Sequence, residues 1–238
     1  CGQPNRPAQA AAPLYGWMGD SITRQIDQSA LASAAGVPLS SILVTGANGT
    51  TSRDWLPGRT YYNDALNAFQ AAGVSVVSLC LGTNDAKAAL RFAPAEVEFN
   101  LTLIGKSLLA AGMSRVVCNY SPYVVAGSAG GAWGTDAPEL VAAYNARREG
   151  AVAAINAVYP GRASVGDALA YDWFRDRQEL LADGVHPGPA GNAWLSERWG
   201  SVARDTGIVL PESGAGMFAL AFLVFLAGAC LGRRGWRW

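Results

Sequence analysis

From Val74 to Leu81 the chain reads VSVVSLCL, an apolar run interrupted only by two serines and closed by Gly82. A run this short and this rich in valine reads as a strand buried on both faces. Such strands belong to parallel sheets with helices packed on either side. Leu14–Gly19, Ser41–Thr45, Arg115–Tyr120 and Ala163–Gly166 read as further strands. Between them lie segments with helical spacing: Ile22–Ala35, Tyr61–Ala72, Pro94–Ala111, Pro138–Val158 and Ala190–Asp205. Gly73 and Gly112 stand where helices stop, Pro94 stands in a first turn, and Pro160-Gly161 ends the longest helix. Val125–Gly134 is glycine-rich and reads as a surface loop. The alternation predicts an α/β fold of three layers, α/β/α, around a parallel sheet. In such sheets ligands bind at the carboxyl ends of the strands.

With 238 residues and 50% hydrophobic composition, the chain can bury one sizeable α/β core and is a poor fit to disorder. Eighteen basic and 18 acidic residues give a formal net charge of +0, so nothing favours a nucleic-acid partner. The four cysteines, Cys1, Cys80, Cys118 and Cys230, have no C-x-x-C spacing, and His186 is the only histidine. A zinc site of the usual Cys/His type is therefore not expected, and no metal or organic cofactor is called for. Cys80 and Cys118 fall inside strands and are expected to be buried free thiols, because neighbouring parallel strands rarely present the Cβ geometry of a disulfide.

The two ends read differently from the middle. Residues 1–13 are rich in Ala, Pro and Gln and read as a tether. A chain beginning at Cys1 resembles a mature lipoprotein with a lipid on that cysteine; an arbitrary boundary is the competing reading. Residues 210–238 contain Leu210-Pro211-Glu212-Ser213-Gly214, then an uncharged apolar stretch to Gly232, then Arg233 and Arg234. That stretch is about 28 Å long as a helix, enough to reach across a bilayer core. The segment resembles a PEP-CTERM or sortase-type sorting signal, departing by one residue from each. The expectation is an exported, membrane-associated protein, with the catalytic domain spanning residues 14–209.

Four short blocks carry candidate chemistry. Asp20-Ser21 follows the first strand and opens a helix, a place where such a pair usually caps the helix but where a serine Oγ also sits at the rim of the sheet. Gly49 lies in a loop after the second strand; a residue without Cβ can present its N–H close to a substrate, and Gly46 competes for that role. Asn84, in Gly82-Thr83-Asn84-Asp85, follows the most hydrophobic strand and can donate through its side-chain amide. Asp183 precedes His186 by three residues in a Gly/Pro-rich loop, so one turn can aim the carboxylate at Nδ1 and leave Nε2 to accept a serine proton. Acyl transfer by serine needs a hydroxyl, a base, a group that orients the base, and oxyanion donors.

Gly19-Asp20-Ser21-Ile22, Gly49, Gly82-Thr83-Asn84-Asp85 and Asp183-Gly184-Val185-His186-Pro187 together resemble, in order, the four blocks of the SGNH (GDSL-like) hydrolases, over about residues 14–205. The resemblance implies a flavodoxin-like fold and a Ser21/His186/Asp183 triad. It also implies an oxyanion hole from the Ser21 N–H, the Gly49 N–H and Asn84 Nδ2. The G-x-S-x-G elbow of classical lipases is absent. The reading is a serine esterase acting on carboxylic esters through an acyl-enzyme, removing acetyl or other short acyl groups from a polysaccharide. Trp133 and Tyr123 are candidates for a sugar platform. Alternatives are an O-acyltransferase acting on a surface glycan and a surface-anchored binding module without catalysis.

Overall fold

The computed structural model describes residues 14–206. The tether, Cys1, and the apolar helix and sorting signal read over residues 210–238 lie outside the described residues. Among the described residues no helix is long and apolar enough to cross a membrane.

Five strands, β1 (Tyr15–Gly19), β2 (Ile42–Gly46), β3 (Val76–Cys80), β4 (Arg115–Cys118) and β5 (Ala163–Val165), form one parallel sheet in the order β2-β1-β3-β4-β5. This is the flavodoxin-like order, with its switch point at β1 and β3. Gly19 pairs with Gly46 on one side and with Cys80 on the other, so three strands end level with one another. The loops that follow them leave the sheet side by side.

The helices are α1 (Ser21–Arg24), α2 (Gln28–Ala35), α3 (Thr60–Ala72), α4 (Pro94–Ala110), the single turn α5 (Ser128–Gly131), α6 (Ala137–Ala146), α7 (Arg148–Asn156), α8 (Ala170–Arg175) and α9 (Pro189–Asp205). Met18, Val77, Leu79 and Val116 point to one face and pack with Phe69 of α3, Leu101 and Ile104 of α4, and Val141 and Ile155 of α6 and α7. Trp17, Val76 and Val117 point to the other face, against Trp199 and Val202 of α9. Alternate residues thus bury on opposite faces, which is why the strand sequences lack a polar side. A Cβ at Gly200 of α9 would collide with the Leu31 carbonyl of α2, so those two helices approach backbone to backbone. Cys80 and Cys118 are buried free thiols, and burial pushes them up to about 12 and about 11.

Two expectations need correction. Ile22–Ala35 is two helices, not one. Asp27 caps α2, its Oδ1 accepting from Ser29 N at 2.9 Å and Ala30 N at 3.0 Å, and a short polar side chain that binds free N–H groups starts a new helix. Pro138–Val158 is also divided, α6 and α7 meeting at Arg147. The stretch 125–134 is a largely exposed loop, as read; it carries the single turn α5, with positive φ at Ala129, Gly130 and Gly131, and is anchored to the loop after β3. Ala88 N donates to Ala132 O at 2.9 Å, and Lys87 and Trp133 form an antiparallel bridge.

Candidate active site

Asp20 and Ser21 divide the two roles that the sequence left competing. Asp20 is the helix cap: its Oδ1 accepts the Ile22 N–H at 2.9 Å. Ser21 is the first residue of α1, where the backbone N–H precedes the intrahelical ladder and has no partner within the helix. Ser21 Oγ lies 2.8 Å from His186 Nε2, across 165 residues of sequence.

His186 is held by its own loop. Asp183 Oδ1 accepts the Val185 N–H at 3.0 Å and the His186 N–H at 2.8 Å, while Oδ2 lies 2.7 Å from His186 Nδ1. Gly184 takes φ +82° inside this turn, and Ala182 N closes it on His186 O at 2.8 Å. Because a carboxylate accepts, Nδ1 carries the proton, and Nε2 is left to accept from the serine hydroxyl. Partial burial raises the Asp183 carboxyl, but the His186 N–H, the imidazole and the Val185 N–H outweigh it and hold the acid below its ordinary range.

Ser21, Gly49, Asn84 and His186 line one open cleft of about 200 Å³, with Gln25, Asn48, Lys87 and Trp133. Asp183 stands behind His186. The five residues read as the triad and the oxyanion donors are therefore together. The reason offered for Gly49 changes, however. A Cβ there would meet only Lys87 Nζ, at 3.9 Å, so space does not demand glycine; its φ of +73° does. Close approach is instead the property of Gly46, where a Cβ would collide with the backbone of Arg24 in α1. Asn84 Nδ2 donates one hydrogen to Thr50 O at 3.0 Å, which ties the third loop to the second and leaves its other hydrogen for a ligand. Thr50 is fixed in turn, its Oγ1 donating to Ala47 O at 2.8 Å and accepting from Trp55 Nε1 at 2.9 Å. Trp133 reaches the cleft, with its indole N–H on Thr83 O at 3.0 Å. Tyr123 does not line it and packs edge-on against Tyr171, centroids 5.4 Å apart.

Beneath the cleft lies a polar layer that the sequence reading passed over. Asp85 accepts from the Ser52 N–H at 3.0 Å and from the Ser52 hydroxyl, which accepts from Asn100 Nδ2 at 2.8 Å. Arg148 is wholly buried; its guanidinium donates to Leu81 O at 2.5 Å, Ser121 Oγ at 2.9 Å and Asn145 Oδ1 at 3.1 Å, so it braces the exit of β3. One signal was available: Val141, Tyr144, Arg148, Ala151 and Ile155 share the apolar face of α6 and α7 at steps of three and four. Burial pushes Asp20 up to about 7 and Asp85 up to about 6. Asp20 Oδ2 has no partner among the described residues. No group of three or more His, Cys, Asp or Glu among the described residues is placed to hold a metal ion.

A sequence model of the GDSL-like lipase/acylhydrolase family matches residues 17–194. Among solved structures, a lipase/acylhydrolase from Enterococcus faecalis is 21% identical, with a TM-score of 0.58, covering 82% of this chain and 95% of its own. A carbohydrate acetylesterase from Sinorhizobium meliloti is 15% identical with a TM-score of 0.56, the match covering 82% and 97%. An acetyl esterase mutant solved with an acetate ion is 16% identical with a TM-score of 0.61, covering 82% and 100%. No curated protein sequence matches the chain.

Proposed function

This chain belongs to the GDSL-like lipase/acylhydrolase family, and from that premise we propose that it hydrolyses short-chain acyl esters of carbohydrates through an acyl-enzyme on Ser21. The observation that carries the proposal is the hydrogen-bonded series Ser21 Oγ, His186 Nε2, His186 Nδ1 and Asp183 Oδ2, with steps of 2.8 Å and 2.7 Å, opening into the cleft. Ser21 Oγ attacks the ester carbonyl while His186 takes its proton. The negative charge that develops on the carbonyl oxygen is met by the N–H groups of Ser21 and Gly49 and by the spare hydrogen of Asn84 Nδ2. Each such donor is typically worth about 3 kcal/mol. His186 then protonates the leaving alcohol, and water, deprotonated by the same imidazole, releases the acid. Asp183 keeps the ring in the tautomer that this sequence needs.

A small acyl group is favoured by the modest size of the cleft, and a sugar alcohol by the amides of Gln25 and Asn48 at its edge. The acetylesterases among the similar structures point the same way. The test is steady-state hydrolysis of p-nitrophenyl acetate and acetate release from acetylated polysaccharides, with wild type, Ser21→Ala and Asp183→Asn side by side. Ser21→Ala is expected to abolish turnover, and Asp183→Asn to lower kcat by about 10²- to 10⁴-fold. Equal rates for Ser21→Ala and wild type overturn the proposal. p-Nitrophenol release that accelerates on adding a sugar acceptor, with no matching rise in free acetate, identifies acyl transfer instead.

A further inference from the structure

We propose that Lys87 makes this cleft selective for esters that carry a carboxylate close to the scissile carbonyl. The proposal deepens the esterase reading and rests on it. The chain has two lysines, Lys87 and Lys106, and Lys87 lines the cleft with Ser21, Asn84 and His186. It closes the turn that begins at Asn84, its N–H donating to Asn84 O at 3.2 Å. Nζ lies 5.1 Å from the centroid of the Trp133 ring and is the nearest atom to the Cβ position of Gly49. The ammonium therefore stands beside the loop that carries a candidate oxyanion donor.

What distinguishes this cation is the absence of an acid to neutralise it. Among the described residues no carboxylate pairs with Lys87. Asp183 is engaged by His186, and Asp20 and Asp85 are fully buried and do not line the cleft. The lysine is held by an aromatic face, which orients an ammonium without cancelling its charge. The common alternative for such a residue is a lysine laid along apolar surface with its head in bulk water. Here its backbone is bridged to Trp133 and bonded to Asn84 O, and its head stands among the site residues. An unpaired cation in a cleft lined by no acid attracts an anionic substituent, and a uronic-acid sugar or a dicarboxylic half-ester each supplies one.

Two matched pairs of substrates read the site. One is a p-nitrophenyl hemisuccinate against p-nitrophenyl butyrate, with the charge on the acyl side. The other is O-acetylated methyl glucuronoside against O-acetylated methyl glucoside, with the charge on the alcohol side. In wild type the charged member of one pair is expected to have the higher kcat/KM, by about fivefold, with the advantage shrinking in high salt. Lys87→Met should lose that ratio, Lys87→Arg should retain it, and Lys87→Glu should invert it. The pair that responds tells which side of the ester faces the cation. Calorimetric titration of methyl glucuronoside, methyl glucoside and succinate, on wild type and Lys87→Met, reads the anion site without turnover. Anion binding lost in Lys87→Met supports the site even where no ester is hydrolysed, which separates its fate from that of the esterase reading. Ratios equal in wild type and Lys87→Met, with no Lys87-dependent anion binding, overturn the proposal.

Discussion

Replacing Asp20 by asparagine should stabilise this protein more at pH 8 than at pH 5. The Asp20 carboxyl is fully buried, with one oxygen on the Ile22 N–H and the other unpartnered among the described residues. Burial above all, with the nearby Asp85 adding to it, lifts the acid from its ordinary 3.8 to about 7. The unfolded chain releases that proton near 3.8. Between these two values the unfolded state is ionised while the folded state stays neutral. The stability contributed by the neutral acid is therefore complete below 3.8, declines as pH rises, and is gone above about 7. At 1.36 kcal/mol per pH unit the loss is about 4 kcal/mol by pH 8, of which about 1.5 kcal/mol is already spent at pH 5. Asp20→Asn does not titrate. It keeps an oxygen for the Ile22 N–H and puts an unpaired NH2 where Oδ2 stood, at a cost of about 1–3 kcal/mol that is the same at every pH. The pH-dependent part can thus be isolated. The unfolding free energy of the variant relative to wild type should rise by about 2–3 kcal/mol from pH 5 to pH 8. Urea titrations followed by tryptophan fluorescence at the two pH values measure it. A relative stability that moves by less than about 0.5 kcal/mol, near the resolution of such extrapolations, refutes the reasoning and returns Asp20 to an ordinary carboxylate.

The other predictions concern the polar layer and the glycines at positions 46 and 49. Ser52→Ala removes the hydroxyl shared by Asp85 and Asn100 and leaves a buried amide donor without its acceptor. The expected cost is about 2 kcal/mol, a fall in Tm of about 4–8 °C for a chain of this size, read by thermal unfolding. Gly49→Ala has open space but a left-handed backbone, so it should lose about 1 kcal/mol. Gly46→Ala should lose about 3 kcal/mol or more and slow ester turnover as well, because its Cβ pushes against the helix that carries Ser21. Equal stability of the two glycine variants would contradict this account of why each position is glycine.

Much of the architecture was legible because it rests on local pattern. The apolar runs at residues 74–81 and 115–120 could only be strands covered on both sides, and the polar blocks fell after strand ends that the register later put level. Asp183 and His186 were legible as a pair, since three residues of loop are enough to fix their geometry. The break at Asp27 was missed because helical spacing of apolar residues continues across it, while the cap that divides the helix is a hydrogen-bond choice supported by a partner on α9, Ser196 Oγ, 3.0 Å from Asp27 N.

The sequence by itself therefore determined the fold class, the order of the blocks and the kinds of side chain available to the chemistry. Only the tertiary structure decided that Ser21 and His186 meet, that Asp20 is buried neutral at acid pH, that Arg148 braces β3 from inside the core, and that Lys87 faces the cleft without an acid beside it. The reason is the range of the forces. Periodicity, caps and turns act over a few residues and are written along the chain. Desolvation and charge act through space, and their strength depends on which distant elements close over a group.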